Sequence, residues 1–304
     1  MKIYKTLNID KKNQNSVLAI GNFDGVHLGH QKVLNQAFKK SRLKKLKFGL
    51  LTFEPMPVMF FNKKVKQHRV NSLKQKEFFL KKKKLDFLVI KRFDRKFSKL
   101  NYKKFIENVI FKKLNCKYLY VSKNFRFGKN RLGNVRKLVS SEKKFFFKTI
   151  ITKPFVKNKK IISSTLIRKL LAKGDVLTVK NILGRFWEIE GTVVKGNQRG
   201  RKIGFPTCNI ILKNYVIPKY GVYAVNVKYK KTTKKGIANL GIRPTFNGKK
   251  LLLEVNIFGT KKNLYNKKIN VIFTKFIRSE RKFKDLTDLK KQIKIDIKKA
   301  KKNV

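Results

Sequence analysis

The chain has 304 residues, of which 41% are apolar, enough for two ordinary domains with hydrophobic cores. Lys and Arg total 79 against 16 Asp and Glu, which gives a formal net charge of +63. No segment approaches the ~18–20 consecutive apolar residues of a membrane helix, and the N-terminus lacks the apolar core of a signal peptide. We therefore expect a cytoplasmic location and do not expect a membrane or secreted protein.

The positive charge is spread along the whole chain. A nucleic-acid footprint needs cations gathered on one face or in one segment, whereas the only run of four lysines is Lys81 to Lys84. Only 14 of the 79 cations are Arg, and Lys, Asn, Ile and Phe are abundant, a skew that codon composition in an AT-rich genome produces without selection for binding. We interpret the charge as compositional and keep a basic nucleic-acid-binding protein as the alternative.

In the first half of the chain, short apolar runs alternate with lysine-rich segments of helical length. Such runs are typical of buried strands, and the segments between them of helices. Strands are predicted at residues 16–20, 48–53, 87–90 and 118–121, and helices from about residue 31, at 73–84 and at 102–114. This alternation predicts a parallel sheet that is covered on both faces.

Beyond about Leu183 the pattern changes to strands without helices between them. These strands are predicted at residues 187–194, 221–227, 251–257 and 268–276, and an antiparallel barrel is their natural closure. A terminal helix is indicated by Leu286, Leu289, Ile293, Ile297 and Ala300, which share one face. The predicted domains are residues 1–182 and 183–304. Cys116 and Cys208 stand far apart and indicate neither a disulfide framework nor a zinc site.

The first chemically distinctive segment is GNFDGVHLGH, residues 21–30, between the first strand and the first helix. Glycines let the backbone approach an anion, and the free N–H groups of a helix start favour phosphate. Two of the three histidines of the chain, His27 and His30, fall here, three residues apart. A partial metal site is the alternative, but no third ligand is evident. The segment predicts a phosphate-binding loop.

This segment resembles the HxGH-type nucleotidylyltransferase signature, and GNFDGVHLGHQ is similar to the adenylyltransferase module of prokaryotic bifunctional riboflavin kinase/FAD synthetases. Six further segments resemble that family in its order along the chain, and seven together are a specific signal. They are residues 52–57, 124–128, 162–168, 196–209, 238–246 with 254–256, and 278–283. Met56, Lys195 and Asn256 depart from the family pattern, because relatives often have His there.

The resemblance implies an α/β plus all-β architecture: an N-terminal Rossmann-like nucleotidylyltransferase sheet and a C-terminal antiparallel β-barrel with a terminal helix. It implies an enzyme that phosphorylates riboflavin to FMN and then adenylylates FMN to FAD, with ATP and Mg²⁺ at both steps and release of pyrophosphate. The alternative within the family is one retained activity of the two. Riboflavin, FMN and ATP are the expected small-molecule partners, and specific binding to nucleic acid is not expected.

For the first module, the resemblance implies that His27 and His30 bind the triphosphate and stabilise the pentacoordinate phosphorus. Ser164, Thr165 and Arg168, at a helix start, would hold the departing pyrophosphate, and Asn124 would position the flavin. The other residues expected to shape the nucleotide loop are Gly21, Asn22, Phe23, Asp24, Gly25 and Gly29. For Asp24 a turn-stabilising role is an equal alternative, because Asp-Gly is a common turn pair.

In the second module Glu254 is the candidate general base for the riboflavin hydroxyl. It stands in the apolar run 251–257, no acid lies between Glu190 and it, and alternation places it on one face with Leu252 and Asn256. A solvated strand residue is the alternative. Thr207 and Asn209 offer the hard oxygens that Mg²⁺ prefers. The resemblance assigns the remaining positions, namely Gly196, Gly200 and Gly204 to the phosphate loop and Arg278 to the flavin.

Overall fold

The computed structural model describes residues 1–196, 198–245, 248–260 and 262–302, and divides the chain into two compact units. The first unit consists of Met1–Lys66 and Leu73–Ser163, and the second of Gln67–Ser72 and Ser164–Val304. Within the described ranges, no helix has both the length and the apolar character that a membrane span requires. Phe246, the last residue of one family-like segment, lies outside the described residues.

A six-stranded parallel sheet forms the centre of the first unit, in the order β1-β4-β3-β2-β5-β8. Its strands are β1 Lys2–Tyr4, β2 Ser16–Ile20, β3 Phe48–Glu54, β4 Phe87–Arg92, β5 Cys116–Ser122 and β8 Lys148–Thr152. Two short pairs, β6 Arg126–Phe127 with β7 Gly133–Asn134 and β9 Val156–Lys157 with β10 Lys160–Ile161, lie outside it. The predicted parallel sheet is confirmed, with edge strands β1 and β8 added.

The sheet is buried on both faces, which explains the continuous apolar runs. Leu18 and Ile20 of β2 pack into one core cluster, and Val17 and Ala19 into another on the opposite face. Alternate side chains of a strand point to opposite faces, so helices must cover both. The α-helices of this unit are α1 Leu28–Leu43, α2 Pro57–Phe61, α3 Leu73–Lys81, α4 Arg95–Ser98, α5 Tyr102–Lys104, α6 Val135–Val139 and α7 Glu142–Phe145.

Two helices differ from their predicted form. Helix α1 begins at Leu28, because the side chain of His27 caps its N-terminus. The predicted helix 102–114 is α5 followed by a π-helix at Phe105–Lys113. Short 3₁₀ turns at Lys11–Asn13 and Lys129–Arg131 complete the unit.

The second unit is built around a closed antiparallel barrel in the order β11-β12-β15-β14-β13-β16. Its strands are β11 Trp187–Val194, β12 Cys208–Ile211, β13 Gly221–Tyr229, β14 Thr232–Thr245, β15 Gly248–Ile257 and β16 Lys268–Arg278. Pairing of β11 with β16 closes the barrel. The predicted barrel is confirmed, but the sequence pattern missed β12 and β14. Strand β14 contains Gly236, Gly241 and Pro244, which interrupt the apolar alternation.

Helices α8 Ser164–Ala172, α9 Val176–Leu183, α10 Arg199–Lys202 and α11 Leu286–Lys302 complete the second unit. Helix α11 is the predicted terminal helix, and the Asp285 carboxylate accepts the backbone N–H of Asp288 at its start, at 2.8 Å. Ala300 packs in a core cluster with Val222, Ala224 and Ile237 of the barrel.

Residues 67–72, which we name the strap, leave the first half of the chain and hydrogen bond within the barrel unit. The Trp187 indole N–H donates to the Val70 carbonyl at 2.8 Å, and an Arg185 Nη donates to Asn71 Oδ1 at 3.0 Å. The Ser72 hydroxyl donates to Glu190 Oε1 at 2.7 Å. The strap is therefore an integral part of the second compact unit, and the functional boundary at residues 182/183 stays a prediction.

Removal of helices α8 and α9 is expected to destabilise the barrel. Fragments 183–304 and 164–304 both lack the strap, so the buried Trp187 loses its carbonyl partner in both. Fragment 183–304 also loses the buried Val179 and Ile182 of α9, and burial of such a side chain stabilises by about 1.5–3 kcal/mol. We expect this fragment to melt about 10 °C or more below fragment 164–304 in thermal denaturation followed by circular dichroism. Equal melting temperatures would show that α8 and α9 are dispensable for barrel stability.

Candidate active sites

The first candidate site lies where β2 ends. In the sheet β2 stands between β3 and β5, so the chain leaves β2 to one side and later returns on the other. The crevice outside the carboxyl ends of parallel strands at such a reversal is where open α/β sheets bind ligands. The loop of residues 21–27 occupies this position, between Ile20 and Leu28. Asn124 lies in the turn after β5, at the same edge of the sheet, and is exposed.

The structure brings His27 and His30 into direct contact. Their rings stack with centroids 3.6 Å apart, and the His27 Nδ1 accepts the backbone N–H of His30 at 3.3 Å. Burial lowers the pKa of His30 well below its usual value, and the charges of His27 and Lys76 lower it further. His30 is therefore neutral at pH 7. In the described part of the chain its buried Nδ1 has no hydrogen-bond partner.

The backbone of the loop is strained at two residues. Phe23 and Val26 have φ of 47° and 41°, the left-handed region that bulky and β-branched side chains avoid. Both are buried, and the Phe23 ring lies 4.9 Å from that of His30. Gly29 leaves little room for a side chain, because a Cβ there would lie 3.1 Å from the His27 ring. The other predicted loop residues, Gly21, Asn22, Asp24 and Gly25, lie in the same turn, with Asp24 buried.

One residue at this loop was not found by sequence reasoning. Lys76 of α3 is buried, and its Nζ lies 3.3 Å from the Asn22 carbonyl oxygen and 3.3 Å from Thr52 Oγ1. The Thr52 hydroxyl also donates to the Asn22 carbonyl, at 3.1 Å. No local signal marks Lys76, since its helix lies in a lysine-rich segment.

Ser164, Thr165 and Arg168 belong to the second compact unit, whereas the two histidines belong to the first. Ser164 and Thr165 are the first residues of α8, in agreement with the predicted helix start. Arg168 Nε donates to the strap carbonyl of His68 at 2.8 Å. Burial and the neighbouring Arg168 lower the pKa of His68 to about 4. A shared task of Arg168 with the histidines stays a prediction.

The second candidate site is a row of three polar side chains across the barrel wall. Strand pairing places Glu254 of β15 directly opposite Asn209 of β12 on one side and Asn239 of β14 on the other. Leu253 and Val255 are fully buried, so Glu254 points away from the barrel interior. Side chains in such register lie within reach of one another. Asn239 belongs to a family-like segment, but it was assigned no role in the sequence analysis.

Mg²⁺ is the metal that the resemblance implies, and the side chains of this row fit it. The side-chain oxygens Asn209 Oδ1 and Asn239 Oδ1 are buried and have no hydrogen-bond partner within the described ranges. Buried orphan oxygens beside a carboxylate suit a hard cation. Thr207, two residues before Asn209, is half-buried. No group of three or more His, Cys, Asp or Glu that could hold a metal occurs among the described residues.

The predicted glycine loop passes against this row. A Cβ at Gly196 would overlap the side-chain amide of Asn209, so only glycine allows this approach. Gly200 lies in α10, and Gly204 follows it with φ of 89°. Asn256, one of the departures from the family pattern, donates from Nδ2 to the Pro206 carbonyl at 2.6 Å and so links the loop to β15.

The guanidinium of Arg278 is bound by a carboxylate and a backbone carbonyl of the same unit. Its guanidinium forms an ion pair with the buried Asp296 of α11, with Nη2 at 2.7 Å, and Nη1 donates to the Ser279 carbonyl at 2.9 Å. Gln292 donates to the same carboxylate at 2.7 Å. These contacts anchor the terminal helix on β16. The predicted contact of Arg278 with flavin stays a prediction.

Comparisons with known proteins match both units. The family model of FAD synthetase matches residues 9–166, and that of riboflavin kinase matches residues 183–304. Proteins described as bifunctional riboflavin kinase/FMN adenylyltransferase are similar along nearly their whole length. The one from Buchnera aphidicola subsp. Schizaphis graminum is 41% identical, covering 99% of this chain and 98% of its own. The Haemophilus influenzae protein is 41% identical, and the match covers 97% of this chain and 96% of its own.

This chain belongs to the bifunctional riboflavin kinase/FMN adenylyltransferase family. The fold of this family member is also found in a crystal structure described as a macrolide-efflux protein from Streptococcus pneumoniae. The two share a TM-score of 0.86 and 29% identity, and the match covers 98% of each chain. Both family models contain the candidate sites, since His27 and His30 fall in the FAD synthetase region and Glu254 in the riboflavin kinase region.

Proposed function

We propose that the two activities of this bifunctional riboflavin kinase/FMN adenylyltransferase reside in separate sites. The loop 21–30 with its histidine pair carries adenylyl transfer to FMN, and the row around Glu254 carries riboflavin phosphorylation. The observation that supports this division is that each family model covers one of the two sites. A cytoplasmic location is part of the proposal.

In the adenylyl transfer, a phosphate oxygen of FMN attacks the α-phosphorus of ATP, and the bond to the pyrophosphate oxygen breaks. The reaction needs alignment and stabilisation of charge on the phosphoryl oxygens, and no covalent enzyme intermediate. Neutral His30 and its partner His27 offer ring N–H groups to these oxygens. Ser164, Thr165 and Arg168 would hold the departing pyrophosphate, as the family resemblance implies.

In the kinase reaction, the ribityl 5′-hydroxyl of riboflavin attacks the γ-phosphorus of ATP and ADP leaves. A neutral alcohol is a poor nucleophile, so a carboxylate that takes its proton accelerates the step. We assign this role to Glu254, and its position beside two amide groups on neighbouring strands supports the assignment. Mg²⁺, when bound, neutralises charge on the phosphates. Thr207 and Asn209 would hold it.

Replacement of Asn209 by Ala is expected to weaken cation binding. The change removes one orphaned amide oxygen, so the affinity for Mn²⁺ in the presence of ADP, measured by electron paramagnetic resonance, should fall about 10–100-fold. Asn226→Ala on β13 removes an amide elsewhere on the same barrel and should leave the affinity unchanged. An unchanged affinity in Asn209→Ala would exclude Asn209 as a ligand.

The two activities are tested separately, in two assays with pure protein. Riboflavin with ATP and Mg²⁺ should yield FMN and then FAD, and FMN supplied with ATP should yield FAD and pyrophosphate when the flavins are separated. A protein that performs only one step would establish the one-activity alternative. The nucleic-acid alternative requires retention on an RNA column at moderate salt with sequence preference, because nonspecific lysine contacts weaken steeply with salt.

A further inference from the structure

Residues 198–207, which we name the α10 loop because they contain that helix, fold back on themselves between β11 and β12. The backbone N–H of Phe205 donates to the Gly200 carbonyl at 2.8 Å. A Cβ at Gly200 would overlap the Phe205 carbonyl oxygen and would lie 3.4 Å from Thr207 Oγ1. The α10 loop is therefore a closed turn, and the side chain of Thr207 lies against its first helical residues.

The side chain of Asn256 continues the contact between β15 and β12 beyond the point where backbone pairing ends. The ladder of these strands ends with Cys208 opposite Val255. Pro206 has no N–H group with which to extend a ladder. One residue beyond Val255, Asn256 donates from Nδ2 to the Pro206 carbonyl at 2.6 Å. The amide of Asn256 therefore ties the α10 loop to β15.

This hydrogen bond is made next to the residues that were assigned to the kinase site. Pro206 directly precedes Thr207, and Asn256 shares one face of β15 with Glu254. Pro206 is exposed, so water can satisfy its carbonyl and folding does not require an amide partner. A loop that is already closed loses less conformational entropy when a ligand binds, and the ligand therefore binds more tightly.

We propose that Asn256 is a positioning residue for riboflavin phosphorylation, whose amide holds the α10 loop closed and so keeps Thr207 and the loop backbone in place for the phosphates of ATP. The inference rests on the proposed kinase role of the barrel. Asn256 acts through the Pro206 carbonyl and needs no contact with a substrate. Its loss should weaken the binding of ATP and leave the binding of riboflavin unchanged.

Two variants of the full-length protein test the role of the donor. Asn256→Leu keeps the approximate size of the side chain and removes the N–H group. Asn256→His keeps an N–H donor at Nδ1, which stands as many bonds from the backbone as Nδ2 of Asn. Asn226→Leu is the matched control, because Asn226 is also a half-buried asparagine of a barrel strand.

Two measurements are made on each variant. The KM for ATP and the KM for riboflavin are determined from the total formation of FMN and FAD. Hydrogen–deuterium exchange of residues 199–208, followed by mass spectrometry without ligand, reports on closure of the α10 loop. Exchange of β13 in the same sample reports on folding of the barrel.

We expect Asn256→Leu to raise the KM for ATP and to accelerate amide exchange in the α10 loop, each by about 3–10-fold, the range for loss of one hydrogen bond. The KM for riboflavin and the exchange of β13 should stay at their parental values. Asn256→His should lie closer to the parent than Asn256→Leu in both measurements, and Asn226→Leu should match the parent.

Three results would overturn the proposal. They are a parental KM for ATP in Asn256→Leu, an equal rise in the KM for riboflavin, and parental exchange in the α10 loop. If Asn256→Leu does not fold, Asn256→Ala also lacks the donor and replaces it with the same expectations. A parent protein that forms no FMN would instead refute the kinase assignment, and the exchange rates would still decide whether Asn256 anchors the loop.

Discussion

Replacement of His30 by Ala is expected to reduce conversion of FMN to FAD by about 10²–10³-fold or more, the usual loss when one donor to a developing charge is removed. The neutral His30 ring stacks on His27 and its buried Nδ1 has no protein partner in the described part of the chain. Steady-state FAD formation from supplied FMN measures the loss.

The second activity is the internal control for this substitution. The riboflavin kinase family model matches residues 183–304, which do not include His30, so riboflavin phosphorylation should stay within about twofold of the parental rate. Asn35→Ala removes an exposed side chain from the same helix and should leave both activities unchanged. Equal loss of both activities in folded His30→Ala protein would contradict the separation of the two sites.

Replacement of Glu254 by Gln is expected to lower riboflavin kinase turnover by roughly 10²–10⁴-fold, the usual contribution of a general base. Gln keeps the size and hydrogen-bonding atoms of Glu but cannot take the proton, so the affinities for riboflavin and ATP should change little. FAD formation from supplied FMN should continue, because the attacking phosphate is already ionised.

Asp288→Asn is a matched control for the loss of one carboxylate in the second unit, since Asp288 is exposed on α11. It should phosphorylate riboflavin at the parental rate. A Glu254→Gln rate within a few-fold of the parent would mean that Glu254 is only a strand residue, and the base would have to be sought among other groups.

Local features of this protein could be predicted from its sequence. The apolar runs of β2 and β3 are continuous because both faces of the sheet are buried. Burial on both faces could therefore be predicted from these runs alone. His27 and His30 are three residues apart at a helix start, so their rings must lie close together. Likewise, strand alternation alone placed Glu254 on one face with Leu252 and Asn256.

Features that depend on long-range pairing could not be predicted. Lys76 lies 54 residues from Asn22, and in a chain with 79 Lys and Arg no single lysine is conspicuous. The position of Asn239 beside Glu254 follows from the register of β14. This strand was not predicted, because its glycines interrupt the apolar alternation. The strap carries no apolar period, because it joins the barrel unit by hydrogen bonds, through the backbone carbonyls of His68 and Val70 and the side chains of Asn71 and Ser72.

The strap also sets the order in which the chain can complete its folding. Its hydrogen bonds include one between Arg168 and His68, 100 positions apart, and one between Gln67 and Leu212, 145 positions apart. Contacts of such separation form late, because closure of a long loop loses conformational entropy before the contacts that offset this loss have formed. During synthesis residues 67–72 emerge well before the barrel. The apolar Val70 therefore stays exposed to water until Trp187 has been synthesised and can donate to its carbonyl. The parallel sheet can assemble around this open loop, so completion of the barrel is the later event.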